Sequence, residues 1–226
     1  MNKIVQHLHS LSGQVLSLYK AIDRSSFWQP SVTGFIVVAA LVNTVLYHNP
    51  LFTFAAASLD LSSRSGVQVV ALLFMLVTVV TSMMLSLLSL VSLRLLKSVC
   101  MIAVLVNALA SYFVETYGVV LDKSMMGNIF NTNFAEADIF FHPKMLVYLL
   151  VLGLLPCGFL ARVRLQKVRW RQRLTTPIVI LLIGAGWIYA SSTSWLWVDK
   201  NARILGGMIL PWSYVINASR YHADLF

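Results

Sequence analysis

Residues Val67 to Leu90 read VQVVALLFMLVTVVTSMMLSLLSL, twenty-four positions without one charged side chain. A helix needs about 20 residues to cross the hydrocarbon core of a bilayer, so this run alone is long enough to span. Four further apolar runs flank it, near Val32 to His48, Leu95 to Glu115, Lys144 to Ala161 and Leu174 to Val198. The first and fourth are the shortest and need their interfacial flanks to reach across. The fold class expected is all-α integral membrane, with five transmembrane helices, an N-terminal amphipathic helix and short helices on the outer side.

Composition agrees with the runs. The 226 residues are 58% hydrophobic and 11% charged, with a mean hydropathy of +0.78, whereas a soluble domain holds about 45–50% apolar and about 25% charged residues. So few charges cannot cover so much apolar surface in water, which excludes an ordinary soluble globule. Cys100 and Cys157 both lie inside apolar runs and read as small buried hydrophobes rather than as a disulfide or metal ligands. Residues 1–28 mix polar and apolar side chains and lack a cleavable signal pattern, so the first span is expected to stay in the mature protein.

The formal net charge of +9 fits nucleic acid, anionic lipid or a membrane rim, and its distribution decides. Arg162, Arg164, Lys167, Arg169, Arg171 and Arg173 form one tract between two apolar runs, with Trp170 as the sole interleaved aromatic, so nucleic acid is not an expected partner. With the N-terminus inside, the inner segments carry eleven positive charges against Asp23 alone, and the outer segments carry six against seven acids. That asymmetry places the N-terminus in the cytoplasm and the C-terminus outside. Before the first span, Ile4, Leu8, Leu11, Val15, Leu18 and Ile22 recur every three or four residues, as in an amphipathic helix lying on the inner membrane surface. The chain thus divides into a cytoplasmic amphipathic segment (1–28), a five-span membrane domain (29–198) with an outer helix near 122–138, and an outer tail (199–226).

Two sets of polar residues stand out. Asn128, Thr132 and Glu136 recur at i, i+4 and i+8 in the outer helix, so an amide, a hydroxyl and a carboxylate share one face. Such a face suits a zwitterionic head group, the carboxylate pairing with an ammonium while amide and hydroxyl bond phosphate oxygens; it also suits a plain solvated helix. Asn107, Ser111 and Glu115 repeat the spacing in the third span. Asn107, near mid-membrane, should bond a neighbouring helix, because an unpaired amide in hydrocarbon is costly, and Glu115 falls near the outer interface. The five histidines form no ligand cluster, and no Gly-rich phosphate loop, nucleophile elbow or zinc signature is present, so no catalytic or metal-ligating residue is assigned.

The segment SYFVETYGVVLDKSMMGNIFNTNFAEA, Ser111 to Ala137, taken with five spans and an outward tail, resembles the membrane domain of bacterial phosphoethanolamine transferases. These are the lipid A-modifying enzymes that include the mobile colistin-resistance proteins. The specific part is YFVETYG followed by D-x-S-M-x-x-N-x-x-x-T-x-x-x-E. The resemblance implies transfer of phosphoethanolamine from phosphatidylethanolamine to a lipid A phosphate at the outer face of the inner membrane, with Asn128, Thr132 and Glu136 contacting the donor head group. It also implies a large periplasmic domain of the alkaline-phosphatase/sulfatase type, supplying a threonine nucleophile and zinc ligands, beyond Phe226 where this sequence stops. Two positions depart from the pattern: Gly127, where glutamine is common, and the LPWSY of the tail. A non-enzymatic membrane scaffold is the competing reading, and a small transporter is disfavoured by the scarcity of ionisable residues at mid-bilayer.

Compartment reporters fused after Arg173 and after Phe226 should report opposite sides, cytoplasmic and periplasmic respectively. The same side for both sinks the five-span arrangement.

Overall fold

A computed structural model describes residues 29–133 and 142–224. The expected amphipathic helix before residue 29, and Glu136, lie outside these. The first span begins at Ser31, whose Oγ accepts the Gly34 N–H and caps α1 (Val32–Tyr47). Pro50 then sits in the first turn of α2 (Asn49–Ser58), where its missing N–H costs nothing, and the two helices meet at His48 with a bend of 61°. Sixteen residues of α1 rise only about 24 Å, and the bent pair taken together is long and apolar enough to count as the first crossing.

The next two spans are the long helices α3 (Arg64–Val91) and α4 (Leu93–Tyr117), joined by one residue. Ser92 is extended, ends α3 and caps α4 by accepting the Arg94 N–H. Gly118, at φ 64°, ends α4 in the left-handed conformation that only glycine adopts cheaply. Asp122 then caps the short α5 (Lys123–Asn131) by accepting the Met125 N–H.

The fourth crossing runs from Pro143 to Arg162 as α6 (Pro143–Tyr148), a π-helical turn (Leu149–Leu154) and α7 (Leu155–Arg162). Pro156 has no N–H for the carbonyl of Leu152, four residues earlier, and the Tyr47 hydroxyl donates to that carbonyl at 2.6 Å. The break in the helix ladder thereby becomes a tie between the first and fourth spans. The fifth, α8 (Trp170–Ala190), shows most of its apolar face outward, with Ile178, Leu181, Leu182 and Ile183 all exposed as expected toward lipid.

Two boundaries differ from expectation. The fifth span ends at Ala190, not at Val198, because Ser191–Ser194 is a run of short hydroxyl side chains that compete for backbone groups; the chain makes a 3₁₀ turn there. It also begins at Trp170, so Arg171 and Arg173 belong to the helix. Arg173 Nη1 donates to the Ser89 carbonyl at 2.9 Å and Lys97 Nζ to the carbonyls of Ala161 and Val163 at 2.8 and 2.9 Å, covering helix C-termini at this basic end of the bundle.

At the opposite end the tail is folded. It continues as α9 (Trp195–Lys200), α10 (Ala202–Met208) and α11 (Trp212–Ala223). Leu121 N–H donates to the Gly207 carbonyl at 3.1 Å, and a Cβ at residue 207 would meet Val120 Cγ1 at 2.0 Å, so this approach requires glycine. Asn217 Nδ2 donates to the Leu121 carbonyl at 2.7 Å. A buried cluster of Tyr47, Ala110, Val114, Leu121, Met126 and Leu210 joins spans, α5 and tail in one core.

Within that core runs a polar chain. Asn107, 0% exposed, donates from Nδ2 to Asn43 Oδ1 at 2.9 Å and accepts the Tyr214 hydroxyl at 3.0 Å. Asn43 Nδ2 donates to the Leu210 carbonyl at 3.2 Å, while the Leu210 N–H donates to His48 Nε2 at 3.1 Å. His48 Nδ1 in turn donates to the Asn43 carbonyl at 3.0 Å. Burial raises the pKa of Tyr214, which keeps its phenol a neutral donor. The expected helix–helix bond of Asn107 is therefore present and extends into the tail.

Asn107→Leu should destabilise the fold by about 1–3 kcal/mol, since it leaves Asn43 and Tyr214 buried without their partner. Ser111, one turn further along α4, has a buried hydroxyl with no partner among the described residues, so Ser111→Ala should be neutral or slightly stabilising. Equilibrium unfolding in mixed micelles compares the two; equal losses would contradict the network.

Candidate lipid head-group site

Asn128, Thr132 and Glu115 lie at the end of the bundle opposite the basic tract. Asn128 is exposed on the last turn of α5, and Thr132 follows as the C-cap, in extended conformation. The expected helix of 122–138 begins as α5, which ends at Asn131, and most of its remainder lies outside the described residues. The Thr132 hydroxyl donates to the Asn128 backbone carbonyl at 2.7 Å, a local bond across one turn. Both side chains are open to the solvent side, the Asn128 amide entirely unspent among the described residues.

Glu115 stands on the last turns of α4, also exposed. One of its carboxylate oxygens accepts the Tyr148 hydroxyl at 2.5 Å, and the other faces Asn49 Nδ2 at 3.5 Å. Around it Tyr112, Tyr117 and Tyr148 pack edge to face, the Tyr112 ring centroid 5.9 Å from Tyr117 and 5.7 Å from Tyr148. Lys144 Nζ lies 5.6 Å from the Tyr148 centroid. The Tyr148 ring thus carries an ammonium over its face while its hydroxyl bonds the Glu115 carboxylate. Asn49 and Tyr148 were not singled out in the sequence, since two separate helices, α2 and α6, bring them to Glu115.

Beside α5 opens a groove of about 710 Å³, closed on its other side by α10 and α11. Its floor is set by Gly127, where a Cβ would stand 2.9 Å from Tyr221 Cε2. Lacking that atom, α5 lets the Tyr221 ring stack on Phe130, centroids 5.6 Å apart, and lets its hydroxyl accept from Asn131 Nδ2 at 2.9 Å. Arg203, Arg220 and Lys123 line the walls, and Lys123 forms an ion pair with Asp224.

The sequence profile of the family described as phosphoethanolamine transferase EptA/EptB matches residues 77–225, from the second span through the folded tail. The chain belongs to that family. Among relatives of this EptA/EptB-family chain, the phosphoethanolamine transferase EptA of Helicobacter pylori is 32% identical over 187 residues, 83% of this chain and 35% of the relative. The phosphatidylethanolamine transferase Mcr-2 of Escherichia coli is 30% identical over 123 residues, 51% of this chain and 23% of the relative. The solved integral membrane lipooligosaccharide phosphoethanolamine transferase A (EptA) of Neisseria meningitidis superposes with a TM-score of 0.76 over 88% of this chain and 37% of its own, at 14% identity. The fold is thus the EptA membrane fold, and the chain spans about a third of the length of these two EptA proteins.

Among the described residues no three His, Cys, Asp or Glu side chains converge on a point where a metal could bind. The zinc that the family resemblance implies finds no fitting ligand set among the described residues.

Proposed function

We propose that this EptA/EptB-family chain is the part of a phosphoethanolamine transferase that anchors it in the inner membrane and presents the phosphatidylethanolamine donor for transfer to lipid A. The observation that carries the reading is the exposure of both Asn128 and Thr132, one turn apart within the N-x-x-x-T-x-x-x-E motif, at the bundle end opposite the basic tract. The positive-inside rule makes that end periplasmic. There the donor's phosphate oxygens accept from the Asn128 amide and from the Thr132 hydroxyl once it turns away from the Asn128 carbonyl, and Glu136 pairs with the ammonium. Glu115, ringed by tyrosines, offers a second carboxylate for the same amine.

At an interface water competes less than in bulk, so these charge-assisted bonds are stronger than on a soluble surface. Nucleophile and zinc belong, on this reading, to a periplasmic domain following Phe226, because phosphoryl transfer needs an activated nucleophile and charge stabilisation close to phosphorus. The role of this chain is positional: it fixes the head group, in a known orientation, at the height where that domain reaches the membrane.

With a catalytic domain supplied after Phe226, Glu136→Ala should lose the ammonium partner, and Asn128→Ala and Thr132→Ala the phosphate bonds. Each is worth about 1–3 kcal/mol, or about 5- to 150-fold in donor turnover per folded molecule. Membrane insertion should barely change, since the side chains at 128 and 132 are exposed. Near wild-type turnover in all three variants returns the motif to an ordinary solvated surface, and the 226-residue chain alone should show no turnover.

A further inference from the structure

The groove between α5, α10 and α11 has no part in holding the donor, yet it has the chemistry of an anion site. Arg203 and Arg220 both line it, and neither has a carboxylate partner among the described residues. The acids nearby are committed elsewhere: Asp224 to Lys123, and Asp122 to the Met125 N–H at the start of α5. That N-terminal turn also borders the groove, through Asp122, Lys123 and Ser124, its positive end already met by the Asp122 carboxylate. Two guanidiniums without a carboxylate partner among the described residues, each able to bond two oxygens at once, together with hydroxyl groups of Ser124 and Tyr221, match a phosphate group better than a single-charge carboxylate.

We propose that this groove seats the phosphomonoester of a second lipid, the one that receives the transferred group, beside the donor. The inference rests on the reading of Asn128 and Thr132 as the donor side. Ser124 in the groove precedes Asn128 by one helical turn, a rise of about 6 Å, so the two head groups share α5 and lie next to each other. A phosphomonoester carries between about one and a half and two negative charges, and Arg203 with Arg220 balances it. Gly127 is part of this design: a side chain there enters the space now occupied by the Tyr221 ring and the groove opening.

The test titrates the 226-residue chain, in phosphatidylcholine nanodiscs, with dihexanoyl phosphatidate, inorganic phosphate and dihexanoyl phosphatidylcholine, reading binding by microscale thermophoresis. Phosphatidate should bind saturably and the neutral lipid should not. The double variant Arg203→Gln/Arg220→Gln should weaken phosphatidate by about 10-fold or more, and Arg162→Gln/Arg169→Gln, at the other end, should leave it unchanged. Gly127→Gln, which keeps both arginines, should weaken it as well. Inorganic phosphate should bind at least about 10-fold more weakly than phosphatidate, and equal affinities overturn the lipid assignment in favour of free phosphate. Unchanged affinity in the Arg203/Arg220 variant, or no saturable binding at all, overturns the phosphate seat and leaves the groove to a protein surface. Retention of phosphatidylethanolamine by the same variants, measured alongside, separates a failed groove from a failed donor site.

Discussion

One amide placed where water is scarce organises the end of this membrane domain opposite the basic tract. Asn107 sits fully buried in the third span, and hydrocarbon offers an unpaired amide nothing. It finds Asn43 on the first span and Tyr214 on α11, so a single side chain joins two crossings to the segment that follows the last one. Asn43 and His48 then hold both polar groups of the Leu210 backbone. With Leu210 fixed, α10 and α11 lie against α5, and the groove and the exposed Asn128–Thr132 pair take their shape from that docking. Buried polar bonds of this kind contribute modestly to stability, but they select one packing among many that apolar side chains would tolerate.

The apolar runs made the crossings legible because the bilayer enforces length and polarity independently of packing. Val67–Leu90 and Leu95–Glu115 fall inside α3 and α4 with a few residues to spare. Boundaries failed where local chemistry overrode hydropathy. The serines after Ala190 stop a helix that Trp195, Leu196 and Trp197 would have prolonged on hydropathy alone. At His48, Pro50 turns one crossing into a bent pair, and at Pro156 the lost N–H is answered by Tyr47, more than a hundred positions earlier. Proline marks both places in the sequence, but its partner is visible only in three dimensions.

The candidate site was legible in part, for a similar reason. The motif from Asp122 to Glu136 lies on contiguous sequence, and Asn128 and Thr132 are both exposed, one turn apart. Spacing alone suggested a longer helical face than the nine residues of α5, because the periodicity does not show where a helix stops. Tyr148 and Asn49 at Glu115, and Arg203 and Arg220 along the groove, arrive from distant helices; in the sequence they look like scattered outer-flank residues. A shared architecture at 14% identity with the meningococcal protein fits this division. Span lengths and a few polar ties define the fold.

The central claim is that this domain discriminates a lipid by its head group, and lipid retention measures it without any catalytic step. The chain would be purified from a bilayer containing equal phosphatidylethanolamine and phosphatidylcholine, and the co-purifying lipids counted by native mass spectrometry. Preferential retention of phosphatidylethanolamine, lost in the Asn128→Ala/Thr132→Ala/Glu136→Ala variant, is the expected result. Equal retention of both lipids by the unaltered chain would contradict it.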